Sequence, residues 1–393
     1  VGKERIMNLD FDLTQEQVQT REMVRRFAQK EIAPHVLEYN RAGRLPLEII
    51  EKMKDTGLIG GVIPPEYGGA GIDHVSWVIS IEEISRVCSS LAVVVGGPSS
   101  LIGQGILKFG TEEQKQKYLA TMARGKTMGA AGITEPNTGT DVGNMQTTAV
   151  REGDEYILNG SKMFITNADE CDWAIVFATM DRNLKHKGIT AFIVERGMPG
   201  FSSRSITGKL AWQPLNLGEL IFEDCRVPRE NLVGEEMRGF KIVMSCLDMG
   251  RLFVAARALG LSQGCLDASL KYAKERTVFG QPVASYQLIQ KMIADMAVGT
   301  EVGRLLLYQV ARLRDQGIER TTKYSSMAKL FNTDLAIKSA TDAVQIHGAY
   351  GFTSEYHVER YFREAKGLQI VEGTTQIHTI LQAAYALGVR SDD

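Results

Sequence analysis

The period of the hydrophobic pattern changes twice along the chain. TQEQVQTREMVRRFAQKEIAPHV (14–36) places apolar residues at helical spacing, with a start signal in Thr14 and Gln17 and a stop at Pro34. LPLEIIEKMKDTGLIGG (45–61) predicts another helix, ended by glycine. The Pro and Gly content of VIPPEYGGAGID (62–73) predicts a loop. Helical patterns resume in VSWVISIEEISRV (75–87) and TEEQKQKYLATMARG (111–125). From residue 126 short β-branched and aromatic runs take over: EYILNGSKMFIT (155–166), WAIVFATM (173–180), ITAFIVERG (189–197) and GELIFEDCRVP (218–228). Asn159-Gly160 predicts a hairpin turn inside the first of these. Several short strands separated by turns predict a small sandwich or barrel. From residue 239 the helical period returns and no proline follows Pro282. QLIQKMIADMAVGTEVGRLLLYQVARLRDQG (287–317) keeps an apolar stripe over many turns, and long antiparallel helices in a bundle are its natural packing. The order is helical over 1–125, β over 126–238 and helical over 239–393: an α+β fold, mainly α.

Composition narrows the function classes. The 393 residues are 44% apolar and 23% charged, as in an ordinary soluble globular protein. A net charge of −2 supplies no broad basic field, which argues against a nucleic-acid surface. No apolar run reads as long enough to cross a bilayer. VGKERIMNLDFDL has neither a signal-peptide core nor the Arg/Ser-rich character of a transit sequence. The five cysteines are scattered and never form C-x-x-C, which fits a reducing compartment and argues against a disulfide framework or zinc site. The six histidines show no metal-ligand spacing, so no metal is expected.

Several chemistries lack their motif. There is no G-x-S-x-G elbow. RGKT (124–127) resembles the end of a P-loop, but Ala120 stands where the earlier glycine is required. YGGAG neither follows a strand nor opens a βαβ unit, which disfavours a nicotinamide dehydrogenase.

Four separated stretches change the picture together. They are GITEPNTGTD (132–141), MFITN (163–167), LDMGR (247–251) with KERTVFGQP (274–282), and VQIHGAYGF (344–352) with VEGTTQI (371–377). Alone, Glu372 before Gly373 and Thr374 reads as helix-start chemistry, with Thr374 as N-cap. With all four in order and at matching intervals, the sequence resembles the acyl-CoA dehydrogenase family over nearly its whole length.

The resemblance implies an N-terminal helical domain, a middle β domain and a C-terminal four-helix bundle. It implies FAD between the β domain and the bundle, in a homotetramer built as a dimer of dimers. The implied reaction is α,β-dehydrogenation of an acyl-CoA to the 2-enoyl-CoA, with the β hydride passing to flavin N5 and electrons passing to an electron-transfer flavoprotein. A soluble enzyme of the bacterial cytoplasm or mitochondrial matrix is expected, without an integral membrane segment. The alternatives are an enoyl-CoA reductase or acyl-CoA oxidase on the same scaffold, or a non-catalytic acyl-CoA-binding protein.

By resemblance Glu372 is the base. Some relatives carry the base directly before the arginine of the LDMGR stretch, where this chain has Gly250. A closed site that excludes water would raise the carboxyl's pKa toward that task. The Glu372 amide would bond the thioester oxygen, and Gly373 allows a close backbone approach. Ile133 and Thr134 would contact the flavin, with Phe164, Ile165 and Thr166 flanking its ring. Arg276 would pair with the FAD pyrophosphate of a neighbouring subunit. Phe279, Gln287, Gln345 and Gly348 would complete the adenosine and pyrophosphate cradle, and Thr374, Thr375 and Gln376 would bind FAD beside the base. Thr140, Asp248 and Arg251 would contact CoA. Without that context, Asp248 and Arg251 read as a surface i, i+3 pair.

Three departures stand out. WQPLNLGEL (212–220) replaces the family's Arg-x-Ser-x-Thr pattern. Gly96 and Gly97 stand where straight-chain relatives commonly have larger residues, and predict room for a branched, cyclic or aromatic acyl group. Ala92 occupies the position of the arginine in glutaryl-type enzymes, which disfavours a glutaryl substrate.

Overall fold

The computed structural model describes residues 12–318 and 320–390. The segment read above for targeting signals lies, through residue 11, outside them.

The N-terminal third is helical: α1 (Gln15–Phe27), α2 (Val36–Ala42), α3 (Leu47–Asp55), α4 (His74–Ser85), α5 (Leu91–Gly96), α6 (Gly103–Phe109), α7 (Glu112–Gln114) and α8 (Ala120–Ala123). Thr14 starts α1 through a capping box with Gln17, as its sequence signal predicts. Buried acids on α4 join it to its neighbours. Glu83 pairs with Arg25 of α1 at 2.6 Å, and Glu82 accepts from Arg304 at 2.9 Å and from the Tyr308 hydroxyl at 2.5 Å.

The middle region forms one eight-stranded sheet in the order β6-β7-β3-β2-β4-β5-β8, with β1 parallel to β4. The strands are β1 (Gly129–Gly132), β2 (Thr148–Glu152), β3 (Glu155–Thr166), β4 (Trp173–Thr179), β5 (Ile189–Glu195), β6 (Phe201–Ser205), β7 (Leu217–Pro228) and β8 (Leu232–Val233). The Asn159-Gly160 hairpin expected from sequence is absent, because β3 runs straight through it. The hairpin turn lies at Gly153, where Glu152 pairs with Glu155. Gly160 instead marks a bulge with φ 139°, and a Cβ there would fall 2.7 Å from Thr147 Oγ1. Close backbone approach, not a reversal, explains this glycine.

A two-stranded ribbon, β9 (Thr277–Val278) with β10 (Gln281–Pro282), leads from α9 (Gly239–Glu275) to α10 (Gln287–Asp315). With α11 (Thr322–His347) and α12 (His357–Ile370) these helices form the C-terminal bundle, and α13 (Thr375–Ala386) packs on α11. The N-terminal helices and the bundle share one core, in which Trp77, Ile81 and Leu91 join Leu252, Leu259 and Leu307.

One expectation needs correction. The stretch Ala92–Phe109 has the length and mean hydropathy, 1.2, of a membrane span, and 56% of it is buried within the protein. Its backbone leaves helical geometry at Ser100, so it is two core helices meeting at a kink.

Candidate active site

A cavity of about 1360 Å³ opens between the sheet, the α5–α6 kink, α9 and the loop joining α12 to α13. It collects Ile133, Thr134, Thr140, Phe164, Ile165, Thr166, Asp248, Arg251, Glu372, Gly373 and Thr374, and also Gly97. Residues as far apart in sequence as Gly97 and Thr374 thus meet at one site.

The sheet supplies one wall. Between Lys162 and Ile165 the register of β3 against β7 slips, and Phe164 takes a left-handed φ of 60°. That bulge turns the Phe164 ring out of the sheet, where it stays 61% exposed and faces the cavity. The backbone N–H of Met163 donates to Thr134 O at 2.8 Å and ties the bulge to the 132–141 loop.

Behind that loop lies a buried ion pair. Lys162 Nζ donates to Glu135 Oε1 at 2.7 Å and to Ile133 O at 3.3 Å, and both side chains are almost fully buried. Glu135 also accepts from the backbone N–H groups of Gln146 and Thr147. Burial pulls Lys162 down to about 8 with Glu135 opposing, so the lysine stays charged at neutral pH. Burial alone would raise Glu135, but Lys162 and the backbone donors hold it below its ordinary value.

The bundle supplies the carboxyl. Glu372 lies between α12 and α13 with φ 57°, a strained conformation for a residue with a Cβ. Its backbone is held from two helices. His378 Nε2 donates to Glu372 O at 3.1 Å, and Lys329 Nζ donates to Gly373 O at 2.6 Å. Since a carbonyl only accepts, His378 carries its proton on Nε2, and Nδ1 accepts from Ser326 Oγ at 2.8 Å. Burial lowers His378 to about 3, which keeps it neutral. Thr374 occupies the N-cap position of α13 as expected, but its side chain makes no capping bond.

Glu372 Oε2 is buried and has no hydrogen-bond partner among the described residues. Burial pushes its carboxyl up to about 7, against the pull of Arg251, Lys329 and Arg257. A Cβ at Gly250 would lie 2.5 Å from the Glu372 carboxyl carbon. The two base positions weighed in the sequence therefore converge on one point in space. If Glu372 is the base that the resemblance implies, Gly250→Ala should displace the carboxyl and slow flavin reduction by about 10²-fold while bound flavin is retained, which stopped-flow absorbance checks.

The Asp248–Arg251 pair is not the surface ion pair that spacing alone suggests. Arg251 Nη1 donates to Asp248 Oδ1 at 3.1 Å with both side chains buried, and Thr322 Oγ1 donates to Asp248 Oδ2 at 2.7 Å.

Other candidates lie elsewhere. Gly96 does not line the cavity: a Cβ there would fall 2.2 Å from the Phe253 ring, so Phe253 already fills the space expected for a bulky acyl group. Arg276 caps the end of α9 beside Tyr350. Phe279 is 98% exposed, and Gln287, Gln345, Gly348 and Gln376 lie at the surface. Thr375 is half-buried and donates to Asp334. Lys329, His378 and Ser326 escape the sequence reading. A buried lysine on a helix face among apolar neighbours was their available signal.

Three domain descriptions match the chain in order. They are the acyl-CoA dehydrogenase N-terminal domain over residues 14–126, the middle domain over 130–225 and the C-terminal domain over 237–387. The chain belongs to the acyl-CoA dehydrogenase family. The short-chain-specific acyl-CoA dehydrogenase of Clostridium acetobutylicum is 44% identical over 95% of this chain and 98% of its own. Subunit CarC of the caffeyl-CoA reductase–Etf complex of Acetobacterium woodii is 43% identical over 92% of this chain and 95% of its own. The butyryl-CoA dehydrogenase structure from Megasphaera elsdenii superposes with a TM-score of 0.92 at 39% identity, covering 96% of this chain and 100% of that one.

Acyl-CoA dehydrogenases are oxidoreductases and flavoproteins, and this chain is an enzyme of that class. The cavity suits a flavin beside an acyl-CoA. At about 1360 Å³ it exceeds the roughly 300–1,000 Å³ typical of a site for one small ligand. Thr134 and Thr166 line it with hydroxyls unpartnered among the described residues, and Phe164 presents a bare ring.

Proposed function

We propose that the enzyme converts an acyl-CoA thioester to its trans-2-enoyl-CoA, with Glu372 removing the α proton. The observation that carries this reading is a carboxyl raised to about 7 in the cavity wall, with a buried oxygen that has no hydrogen-bond partner among the described residues. An α C–H is too weak an acid to lose its proton unless the thioester oxygen is stabilised. The Glu372 amide is assigned that role, and its strained backbone is held for it by His378 and Lys329. FAD, when bound, supplies the acceptor for the β hydride. Ile133, Thr134, Phe164, Ile165, Thr166 and Thr374 would hold the flavin, and Thr140, Asp248 and Arg251 the CoA.

Arg276, Phe279, Gln287, Gln345, Gly348, Thr375 and Gln376 lie outside the cavity of a single chain. The exposure of all of these but the half-buried Thr375 supports a homotetramer in which a neighbouring subunit completes the nucleotide site. Electron transfer to an electron-transfer flavoprotein is supported by similarity to a subunit of an Etf complex. A second reading has the same site working as an enoyl-CoA reductase. It is favoured by similarity to the caffeyl-CoA reductase subunit, and Glu372 would then return the α proton.

Anaerobic mixing with straight, branched, cyclic and aromatic acyl-CoAs tests the reading. Flavin bleaching by at least one thioester is expected, and none by any of them in FAD-loaded protein would end it. Rapid peroxide formation in air would indicate an oxidase instead.

A base must be ionised to act. With Glu372 raised to about 7, the rate constant for flavin reduction at limiting acyl-CoA should climb roughly tenfold per pH unit below about 7 and level off above it. A flat profile between pH 5.5 and 8.5 would contradict the assignment.

A further inference from the structure

One wall of the cavity holds a guanidinium with almost no partner. Arg257, on α9, lines the cavity and is 4% exposed. It lies over the Trp212 ring at 4.7 Å and the Phe253 ring at 5.3 Å. Its Nε makes one long hydrogen bond, to Ser89 Oγ at 3.3 Å. Its Nη2 is buried and unpartnered, and so is the Trp212 indole N–H. Stacking covers the faces of a guanidinium but leaves its in-plane N–H donors unused. Among the described residues no carboxylate forms an ion pair with it. The acids that act on it from a distance are Glu364, which is bound to Arg360 at 2.9 Å, and Glu372 itself.

The position of Arg257 along α9 gives it meaning. Gly250 lies against the Glu372 carboxyl, and Val254 and Arg257 follow at i+4 and i+7 on the same face. Seven residues of helix rise about 10 Å, and helical side chains lean back toward the N-terminus. The guanidinium and the Glu372 carboxyl line one cavity, near enough for each to act on the other's charge.

We propose that Arg257, assisted by the Trp212 N–H, is an anion anchor, and that the preferred substrate is a short acyl-CoA ending in a distal carboxylate. This rests on the reading of the cavity given above. The usual cost of desolvating a buried arginine is already met in the folded chain, so an arriving carboxylate gains the pairing while giving up only its own water. Ala92 is buried and does not line the cavity, and it bears only on an anchor from α5. Arg257 enters from α9. The lone arginine in the apolar run LFVAARALGL and the departure at Trp212 are two halves of one subsite.

The test compares glutaryl-CoA with 5-methylhexanoyl-CoA, in which an isopropyl group replaces the carboxylate at nearly constant shape. Both are titrated into FAD-loaded Glu372→Gln tetramer, with flavin absorbance as readout. Glutaryl-CoA should bind at least about tenfold more tightly, a preference of the size expected for a charge-assisted hydrogen bond. Arg257→Gln should erase the preference by weakening glutaryl-CoA alone, and Arg257→Lys should restore part of it. Trp212→Phe, which keeps a ring and removes the N–H, should also weaken glutaryl-CoA alone. Equal or tighter binding of 5-methylhexanoyl-CoA before any change at Arg257 would overturn the proposal, even if the Arg257 variants fail to fold. Equal weakening of both ligands by Arg257→Gln would overturn it too. Bleaching of the Glu372→Gln flavin would remove the base assignment, and the ligand preference would then be read from the concentration dependence of bleaching.

Discussion

Glu372→Gln is expected to give a yellow, folded holoenzyme whose flavin reduction by acyl-CoA is slowed by about 10²- to 10⁴-fold, the usual contribution of a general base. Glutamine keeps the size of the side chain and the backbone N–H assigned to the thioester oxygen. It removes only the proton acceptor, so ligand binding should persist. Stability supplies a second signature. A carboxyl raised by burial to about 7 binds its proton more tightly folded than unfolded. Its contribution to stability is therefore full below its unfolded value and lost as pH rises through about 7. At pH 8 the folded protein holds a buried charge that glutamine does not carry. The variant should melt at least as high as the parent there, with a gain of up to roughly 3 kcal/mol. Lost chemistry together with retained or increased stability marks a residue placed for function against the preference of the fold. A variant that bleaches at the parent's rate would end the assignment. A lower melting temperature at pH 8 would show that the Glu372 charge is stabilised in ways the cavity does not display.

The helical and β regions were legible because their periods are set by which side is buried. Thr14 and Gln17 named a helix start correctly, since a capping box needs only neighbours in sequence. Asn159-Gly160 misled, since a strand bulge and a hairpin both recruit glycine and only the partner strand distinguishes them. Gly96 misled for a related reason: a missing Cβ does not make space when another helix sends Phe253 into it. Motifs in register singled out Glu372, but not the groups that enclose it. The raised pKa depends on enclosure within the fold, against the pull of cations from α9 and α11 more than forty residues away in sequence. The Arg257–Trp212 pairing was hidden in the same way. Trp212 stood out in the sequence and Arg257 did not, and only the fold shows that the two share one wall.

The largest stability effect is expected at Lys162. Lys162→Met should cost about 3–5 kcal/mol, because it leaves the buried Glu135 carboxylate without its partner. The damage should reach the flavin. Lys162 also donates to Ile133 O, and Glu135 gathers the N–H groups of Gln146 and Thr147, so the pair closes the loop that carries Thr134 and Thr140. Loosening that loop also frees the Phe164 bulge, which hangs on Thr134 O through Met163 N–H. FAD content after purification and the thermal midpoint should therefore fall together. The double variant Lys162→Met/Glu135→Leu separates charge from architecture. Removing both charges should recover much of the stability, since a buried ion pair contributes little over apolar residues of similar volume. It should recover less of the FAD binding, because leucine cannot accept from the Gln146 and Thr147 backbone. If Lys162→Met alone keeps both its melting temperature and its flavin, water or relaxation must reach Glu135, and the pair does not hold the loop. If the double variant melts as low as the single one, the hydrogen bonds Glu135 accepts outweigh the ion pair in holding that loop.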